Sequence, residues 1–252
     1  MRILVCNDDG INARGLKVLE GIAKTLSNDV WVVAPEAEQS GASHSITLHE
    51  PLRIRKISKR RFAVRGTPTD CVMFAVYQII SGSPPDLLLS GVNCGANLGD
   101  DVTYSGTVAA AMEGLILGIP SVALSQSVRG KTGVKWSTAA HFAPIILRQL
   151  VNAGWSQHAL ININFPDRKK TDVSGIRVTT QGRRVASDLN IVNRLDTRGT
   201  PYYWLGFRRQ LGLPPAPRSD LAAINSGYVS VTPLKINLTH TGSMGHLRKI
   251  LG

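Results

Sequence analysis

Two adjacent carboxylates, Asp8 and Asp9, are the first residues in this chain whose types and spacing could do chemistry. They sit in Asn7-Asp8-Asp9-Gly10, directly after a short apolar run of Met1, Ile3, Leu4, Val5 and Cys6. Adjacent aspartates repel one another unless a cation neutralises them, and hard divalent ions such as Mg²⁺ and Mn²⁺ prefer oxygen ligands. Asn, Asp and Gly are also common turn formers, so the tetrapeptide alone reads equally as a metal site or a solvated turn. A second candidate is the stretch Ser90-Gly91-Val92-Asn93-Cys94-Gly95-Ala96-Asn97-Leu98-Gly99-Asp100-Asp101, continuing to Tyr104-Ser105-Gly106-Thr107. Its glycines let backbone approach a ligand, and the amides of Ser105, Gly106 and Thr107 would open a helix whose amino end suits a phosphate. It has neither the Gly-Lys-Ser/Thr ending of a Walker loop nor the glycine spacing of a dinucleotide fingerprint, and by itself it reads more simply as a helix-capping loop. A third loop, Gln39-Ser40-Gly41-Ala42-Ser43-His44-Ser45, adds hydroxyls and a histidine.

These loops need a scaffold that brings strand ends together. The opening apolar run suits a parallel strand covered on both faces. Leu16, Leu19, Ile22, Ala23 and Leu26 recur at helical spacing, predicting a helix over 15–27, and 30–34 reads as the next strand, stopped by Pro35. That is a βαβ opening, with a right-handed crossover, and it puts the loop 36–45 beside Asp8 and Asp9. Short strands are expected at 46–48, 52–54 and 62–64. Thr67 and Pro68 then start a helix running to about residue 80. Further strands are expected at 86–90, 121–124 and 160–165, with helices over 108–117 and over 137–153, the latter broken or begun near Pro144. Beyond Pro166 the periodicity weakens, and 167–227 reads as basic and loop-rich. Ser219 and Asp220 cap a short helix through residue 224, and 228–232 is a returning strand ended by Pro233. The expected fold is α/β and Rossmann-like: one domain over 1–252, with a mostly parallel sheet covered by helices on both faces. The core is 1–166, and 167–252 is a smaller, irregular carboxyl-terminal region. Such sheets bind ligands outside the carboxyl ends of their strands, where all three loops emerge.

A hydrophobic content of 43% with 18% charge is a globular composition that can bury a sizeable core. No apolar run reaches the length of a bilayer span, and the amino terminus lacks a signal-type pattern, so a cytoplasmic protein with no membrane partner is expected. Cys6, Cys71 and Cys94 have no zinc-type spacing and are odd in number, which predicts buried free thiols. The net charge of +12 is uneven: residues 1–166 carry 15 Lys and Arg against 12 Asp and Glu, and 167–252 carry 14 against 5. Such a field draws in anions, phosphate esters included. Aromatic residues at 6% and the absence of an RNA-binding motif argue against a specific nucleic-acid partner.

Taken in order, these segments resemble the SurE family of stationary-phase survival proteins, which are metal-dependent 5′-nucleotidases. The resemblance runs through Asn7-Asp8-Asp9-Gly10, Gln39 to Thr47, Gly66-Thr67-Pro68-Thr69-Asp70-Cys71-Val72, Ser90-Gly91-Val92-Asn93, Gly99-Asp100-Asp101, Tyr104-Ser105-Gly106-Thr107 and Glu113-Gly114. It ends in Tyr228-Val229-Ser230-Val231-Thr232-Pro233-Leu234. It implies one divalent ion per subunit, Mg²⁺ or Mn²⁺, held by Asp8, Asp9, the hydroxyl of Ser40 and the side-chain oxygen of Asn93. These are four oxygen donors from three strand-end loops, a suitable set for a hard cation. The implied reaction converts nucleoside 5′-monophosphates to nucleoside and phosphate, with 3′-monophosphates and short polyphosphates as further substrates. Asp8 and Asp9 are the expected catalytic residues, Asp9 acting as base or orienting carboxylate for an attacking water activated by the ion. Ser105, Gly106 and Thr107, with Asn97, are expected to hold the phosphoryl oxygens. His44 either protonates the leaving alkoxide or bonds its own loop. Asp100 and Asp101 read as loop-fixing residues and Asp70 as a first-turn acid. A haloacid-dehalogenase-type phosphatase would require Asp-x-Asp, which adjacent aspartates do not supply. The resemblance also implies a homodimer or homotetramer built through carboxyl-terminal arms, with which the aromatic and proline-rich stretch 195–217 is compatible.

Overall fold

The computed structural model describes residues 1–130, 133–184, 188–208 and 214–252. In chain order the elements are β1 (Arg2–Cys6), α1 (Arg14–Lys24), β2 (Asp29–Pro35), β3 (Ile54–Ser58), β4 (Arg61–Val64), α2 (Pro68–Phe74), β5 (Leu87–Cys94) and α3 (Gly106–Ile116). They continue with β6 (Ser121–Gln126), α4 (Trp136–Ala153), β7 (Leu160–Phe165), β8 (Ile176–Val178), β9 (Asp188–Leu195), β10 (Pro201–Arg208), α5 (Asp220–Asn225), β11 (Val229–Leu234) and α6 (Thr241–Leu251). Nine strands form one sheet in the order β3-β4-β2-β1-β5-β6-β7-β11-β8, and β9 and β10 form a separate antiparallel hairpin.

From β4 to β7 every pairing is parallel. Strand side chains alternate between faces. Ile3 and Val5 therefore join Leu16, Leu19, Ala139 and Leu147 of α1 and α4 on one side, while Leu4 and Cys6 join Cys71, Val72, Val108 and Ala110 of α2 and α3 on the other. The strand order reverses at β1, which has β2 on one flank and β5 on the other. Connections leaving β1 and β5 diverge there, and the crevice between them is where ligands of such sheets bind. Among the described residues no helix is long and apolar enough to cross a membrane.

Several expectations need correction. No strand forms at 46–48, because Thr47 gives both its N–H and its hydroxyl to Asp70 (3.1 and 2.7 Å) and so lies across the start of α2. The strand expected at 52–54 begins only at Ile54 and runs on to Ser58. α4 passes through Pro144 unbroken. The carbonyl left without a donor is that of Ala140, on the exposed flank, where water can take its place. β11 likewise continues through Pro233, which lies past the last residue paired with β8 and needs no donor at that edge. The loop-rich stretch 167–227 also holds β8, α5 and the hairpin, whose turn is closed by Asp196 Oδ1 accepting the N–H groups of Arg198 and Thr200 at 2.8 and 2.9 Å. Of the expected arm at 195–217, residues 209–213 lie outside the described residues. Cys6 and Cys71 are buried as expected, but Cys94 is exposed.

Candidate metal and phosphate site

The β1 and β5 carboxyl ends carry Asp8, Asp9 and Asn93 to the crevice. The loop 36–45 is fastened beside them: the Gln39 N–H donates to the Asp8 carbonyl at 2.8 Å and the Ile11 N–H to the Pro35 carbonyl at 2.8 Å. Its far end is tied to the β5–α3 connection by the Ser43 N–H on the Tyr104 carbonyl (3.2 Å) and the Ser43 hydroxyl on the Thr103 carbonyl (2.7 Å).

Asp8 is almost fully buried. Its Oδ2 accepts the Thr107 N–H at 3.1 Å and its Oδ1 the Thr107 hydroxyl at 2.5 Å. The amino end of α3 therefore cradles this carboxylate, as helix N–H groups and dipole favour. Gly106 is required by the closeness of the fit, since a Cβ there would lie 2.9 Å from Asp8 Cβ and 3.1 Å from Pro68 Cγ. Asp9 Oδ2 accepts the Cys94 N–H at 3.1 Å. Burial raises the Asp8 carboxyl above its ordinary pKa despite the Thr107 bonds. Burial first, and then the charge of Asp8, push Asp9 up to about 6. Two acids shifted upward side by side mean that the protein's own groups do not balance their negative charge.

Two further loop residues keep an oxygen as acceptor. Asn93 spends its Nδ2 on the Gly95 carbonyl at 3.0 Å, which leaves Oδ1 as an acceptor. Ser40, exposed at the loop surface, gives its proton to Glu38 Oε1 at 2.8 Å, which leaves the oxygen lone pairs. Among the described residues no group of three or more His, Cys, Asp and Glu could hold a metal ion. The residues expected to hold a cation, Asp8, Asp9, Ser40 and Asn93, offer two carboxylates with a hydroxyl and an amide oxygen, all of them hard donors.

Other residues singled out in the sequence take clear places. Ser105 caps α3, its Oγ accepting the Val108 N–H at 3.0 Å. Asn97 is buried and bonded at both its main chain and its Nδ2. Asp101 takes the Leu98 N–H at 3.4 Å and pairs with Arg184, while Asp100 takes the Arg184 N–H at 2.8 Å, so both fix the loop. Asp70 completes a capping box with Thr67. Among the described residues the His44 ring bonds Glu113 and not its own loop: its Nε2 lies 3.0 Å from Oε2 of Glu113, a buried carboxylate of α3. Sequence reasoning gave Glu113 no role, because the pair is 69 residues apart and only the packing of the loop on α3 unites it.

The family model described as Survival protein SurE matches residues 3–188. The chain belongs to the SurE family. It is 58% identical to the 5′-nucleotidase SurE of Parvibaculum lavamentivorans, over 100% of this chain and 91% of that protein. It is 56% identical to the 5′-nucleotidase SurE of Paramagnetospirillum magneticum, over 97% and 93%. The crystal structure of the SurE protein from Aquifex aeolicus superposes with a TM-score of 0.85 at 39% identity, covering 99% of both chains. The SurE model stops at the first residue of β9, so β10 and β11 lie beyond it yet within the span aligned to the Parvibaculum relative.

In this SurE chain the Thr107 hydroxyl is expected to matter more than its methyl. Thr107→Val leaves one Asp8 oxygen without its donor and should lower turnover about 10- to 100-fold, whereas Thr107→Ser should stay near wild type. Steady-state kinetics of the two variants side by side checks this; equal losses would assign the effect to packing.

Proposed function

We propose that this chain is a divalent-metal-dependent phosphomonoesterase, a hydrolase of the 5′-nucleotidase type that converts nucleoside 5′-monophosphates to nucleoside and phosphate. The observation that carries the reading is the Asp8–Asp9 pair at the β1/β5 switch point, both carboxyls raised by burial, with Asn93 and Ser40 each one residue from a backbone N–H that bonds the pair. The names of the relatives support the reaction class.

In this reading Asp8, Asp9, Ser40 and Asn93 hold one Mg²⁺ or Mn²⁺ ion. When bound, such an ion supplies positive charge against the phosphoryl oxygens and makes water more acidic. Asp9, whose Oδ2 accepts the Cys94 N–H, is the base or the orienting carboxylate for the attacking water. Thr107 keeps Asp8 from swinging out of the crevice. The Ser105 and Gly106 end of α3 and the Asn97 side chain receive the phosphoryl oxygens. His44, oriented by Glu113, stands as proton donor to the leaving alkoxide. The hairpin is the assembly arm for a dimer or tetramer, a role supported by exposed Tyr203, Trp204 and Leu205.

The test is phosphate release from a panel of nucleoside 5′- and 3′-monophosphates and tripolyphosphate. Metal-stripped protein should be inactive, and Mn²⁺ or Mg²⁺ should restore release from the 5′-monophosphates. Release that survives chelation, or none with either metal, sinks the reading.

A further inference from the structure

β7 reads Leu160-Ile161-Asn162-Ile163-Asn164-Phe165 and is buried along its whole length. Two amides in such a strand are costly unless they are bonded. They share the face of Leu160, which packs in the α2/α3 cluster. Their neighbours across the sheet are Ala123 and Ser125 of β6 on one side and Thr232 and Ser230 of β11 on the other. Toward the strand carboxyl ends this face therefore turns from apolar to polar, and the β5–α3 connection lies on it.

One residue of that connection takes most of the bonds. Asn164 grips the Asn97 peptide from both sides: its Oδ1 accepts the Asn97 N–H at 2.9 Å, and its Nδ2 donates to the Asn97 carbonyl at 3.1 Å. Asn162 Nδ2 adds a second donor to that carbonyl at 2.9 Å. Asn97 Nδ2 in turn donates to Ser125 Oγ at 2.8 Å, which fixes the side-chain torsion. Four hydrogen bonds from two neighbouring strands thus hold the main chain and the amide of a single loop residue. Helix capping cannot explain them, because Asn97 precedes the first residue of α3 by nine positions and a separate 3₁₀ turn (Gly99–Thr103) intervenes.

We infer that Asn164 is a positioning residue for phosphate recognition, acting through Asn97, with Asn162 and Ser125 as its supports. The inference rests on the reading of Asn97 as a phosphate contact. Among the described residues, the hydrogen bonds of the Asn164 side chain go to the Asn97 peptide. Its loss leaves Asp8, Asp9, Ser40 and Asn93 in place and frees Asn97 to sample other orientations, so substrate and product phosphate weaken together while metal binding does not.

The test is a mutant cycle on the full chain, following KM for a nucleoside 5′-monophosphate, the inhibition constant of inorganic phosphate, and Mn²⁺ affinity by calorimetry. Asn164→Ala is expected to raise both KM and the phosphate constant about tenfold with Mn²⁺ affinity held within about twofold. In an Asn97→Ala background the same change should add nothing. If Asn164→Ala does not fold, Asn162→Ala removes one of the two donors to the Asn97 carbonyl and should show the same pattern at about threefold. Effects that add in the double variant, or a parallel loss of Mn²⁺ affinity, would mean general loosening and overturn the inference. If Asn97→Ala alone leaves the phosphate constant unchanged, the reading of Asn97 falls and takes the inference with it; if Asn97→Ala raises the constant and Asn164→Ala does not, the inference alone falls.

Discussion

Asp9→Asn is expected to lower metal-dependent phosphate release on the order of a thousandfold while making the metal-stripped protein more stable at neutral pH. The amide keeps an oxygen for the Cys94 N–H, so the loop geometry is retained. What it removes is a charge that the fold disfavours. The folded Asp9 carboxyl titrates at about 6 against an ordinary 3.8. Between those values the folded state binds more protons than the unfolded one, so wild-type stability falls as pH rises through the window and the deficit is complete above it. Allowing for the solvent that reaches this side chain, the deficit is about 1–2 kcal/mol. Asp8 acts in the same direction, so the variant should lose part of the pH dependence and not all of it. Thermal melts of metal-stripped protein between pH 4.5 and 7.5 separate the two proteins. Adding Mn²⁺ at pH 7.5 should raise the wild-type midpoint and leave that of Asp9→Asn nearly unmoved. A variant that keeps its turnover would remove Asp9 from the reaction.

How far the site was legible depends on sequence distance. A five-residue strand running into two aspartates is a local pattern, and β1 with its acidic loop stands where the pattern puts it. The α3 cap is local too: Ser105 bonds the N–H three residues on. What the sequence concealed is the partner of the helix end. Ser105-Gly106-Thr107 reads as a set of free amides and hydroxyls awaiting a phosphate, yet the Thr107 pair is taken by Asp8, 99 residues earlier. Only the parallel β1–β5 pairing, which sets that loop against α3, creates the contact. Glu113 and Asn164 were hidden for the same reason, although an Asn-x-Asn inside an apolar strand was a visible anomaly. The hairpin was missed differently. Consecutive apolar residues, Ile191-Val192 and Tyr202-Tyr203-Trp204-Leu205, break the two-residue alternation, and its turn is held by one aspartate without a glycine-led two-residue signal.

Gly15→Ala is expected to destabilise the protein by about 2–3 kcal/mol, against the sign that helix propensity alone would give. Gly15 is the second residue of α1, and alanine in an unobstructed helix would be the better residue by about 1 kcal/mol. Here a Cβ would lie 1.9 Å from the Val92 carbonyl oxygen and 3.0 Å from Trp136 Cη2. The first of these atoms is backbone of β5 and cannot rotate away, so either α1 lifts from the sheet or the end of β5 is pushed. For a chain of this length the cost corresponds to a fall in melting midpoint of about 5–10 °C. Gly21 on the same helix supplies the control, since a Cβ there meets nothing within 4 Å. Gly21→Ala should therefore gain about 0.5–1 kcal/mol. The displaced strand end also carries Asn93, next to Val92, so Gly15→Ala should weaken Mn²⁺ binding in calorimetry while Gly21→Ala leaves it unchanged. Equal midpoints for the two variants would show that α1 does not approach β5 as closely as the packing requires. A lowered midpoint with full Mn²⁺ affinity would show instead that the strain is taken up by the helix, leaving the end of β5 in place.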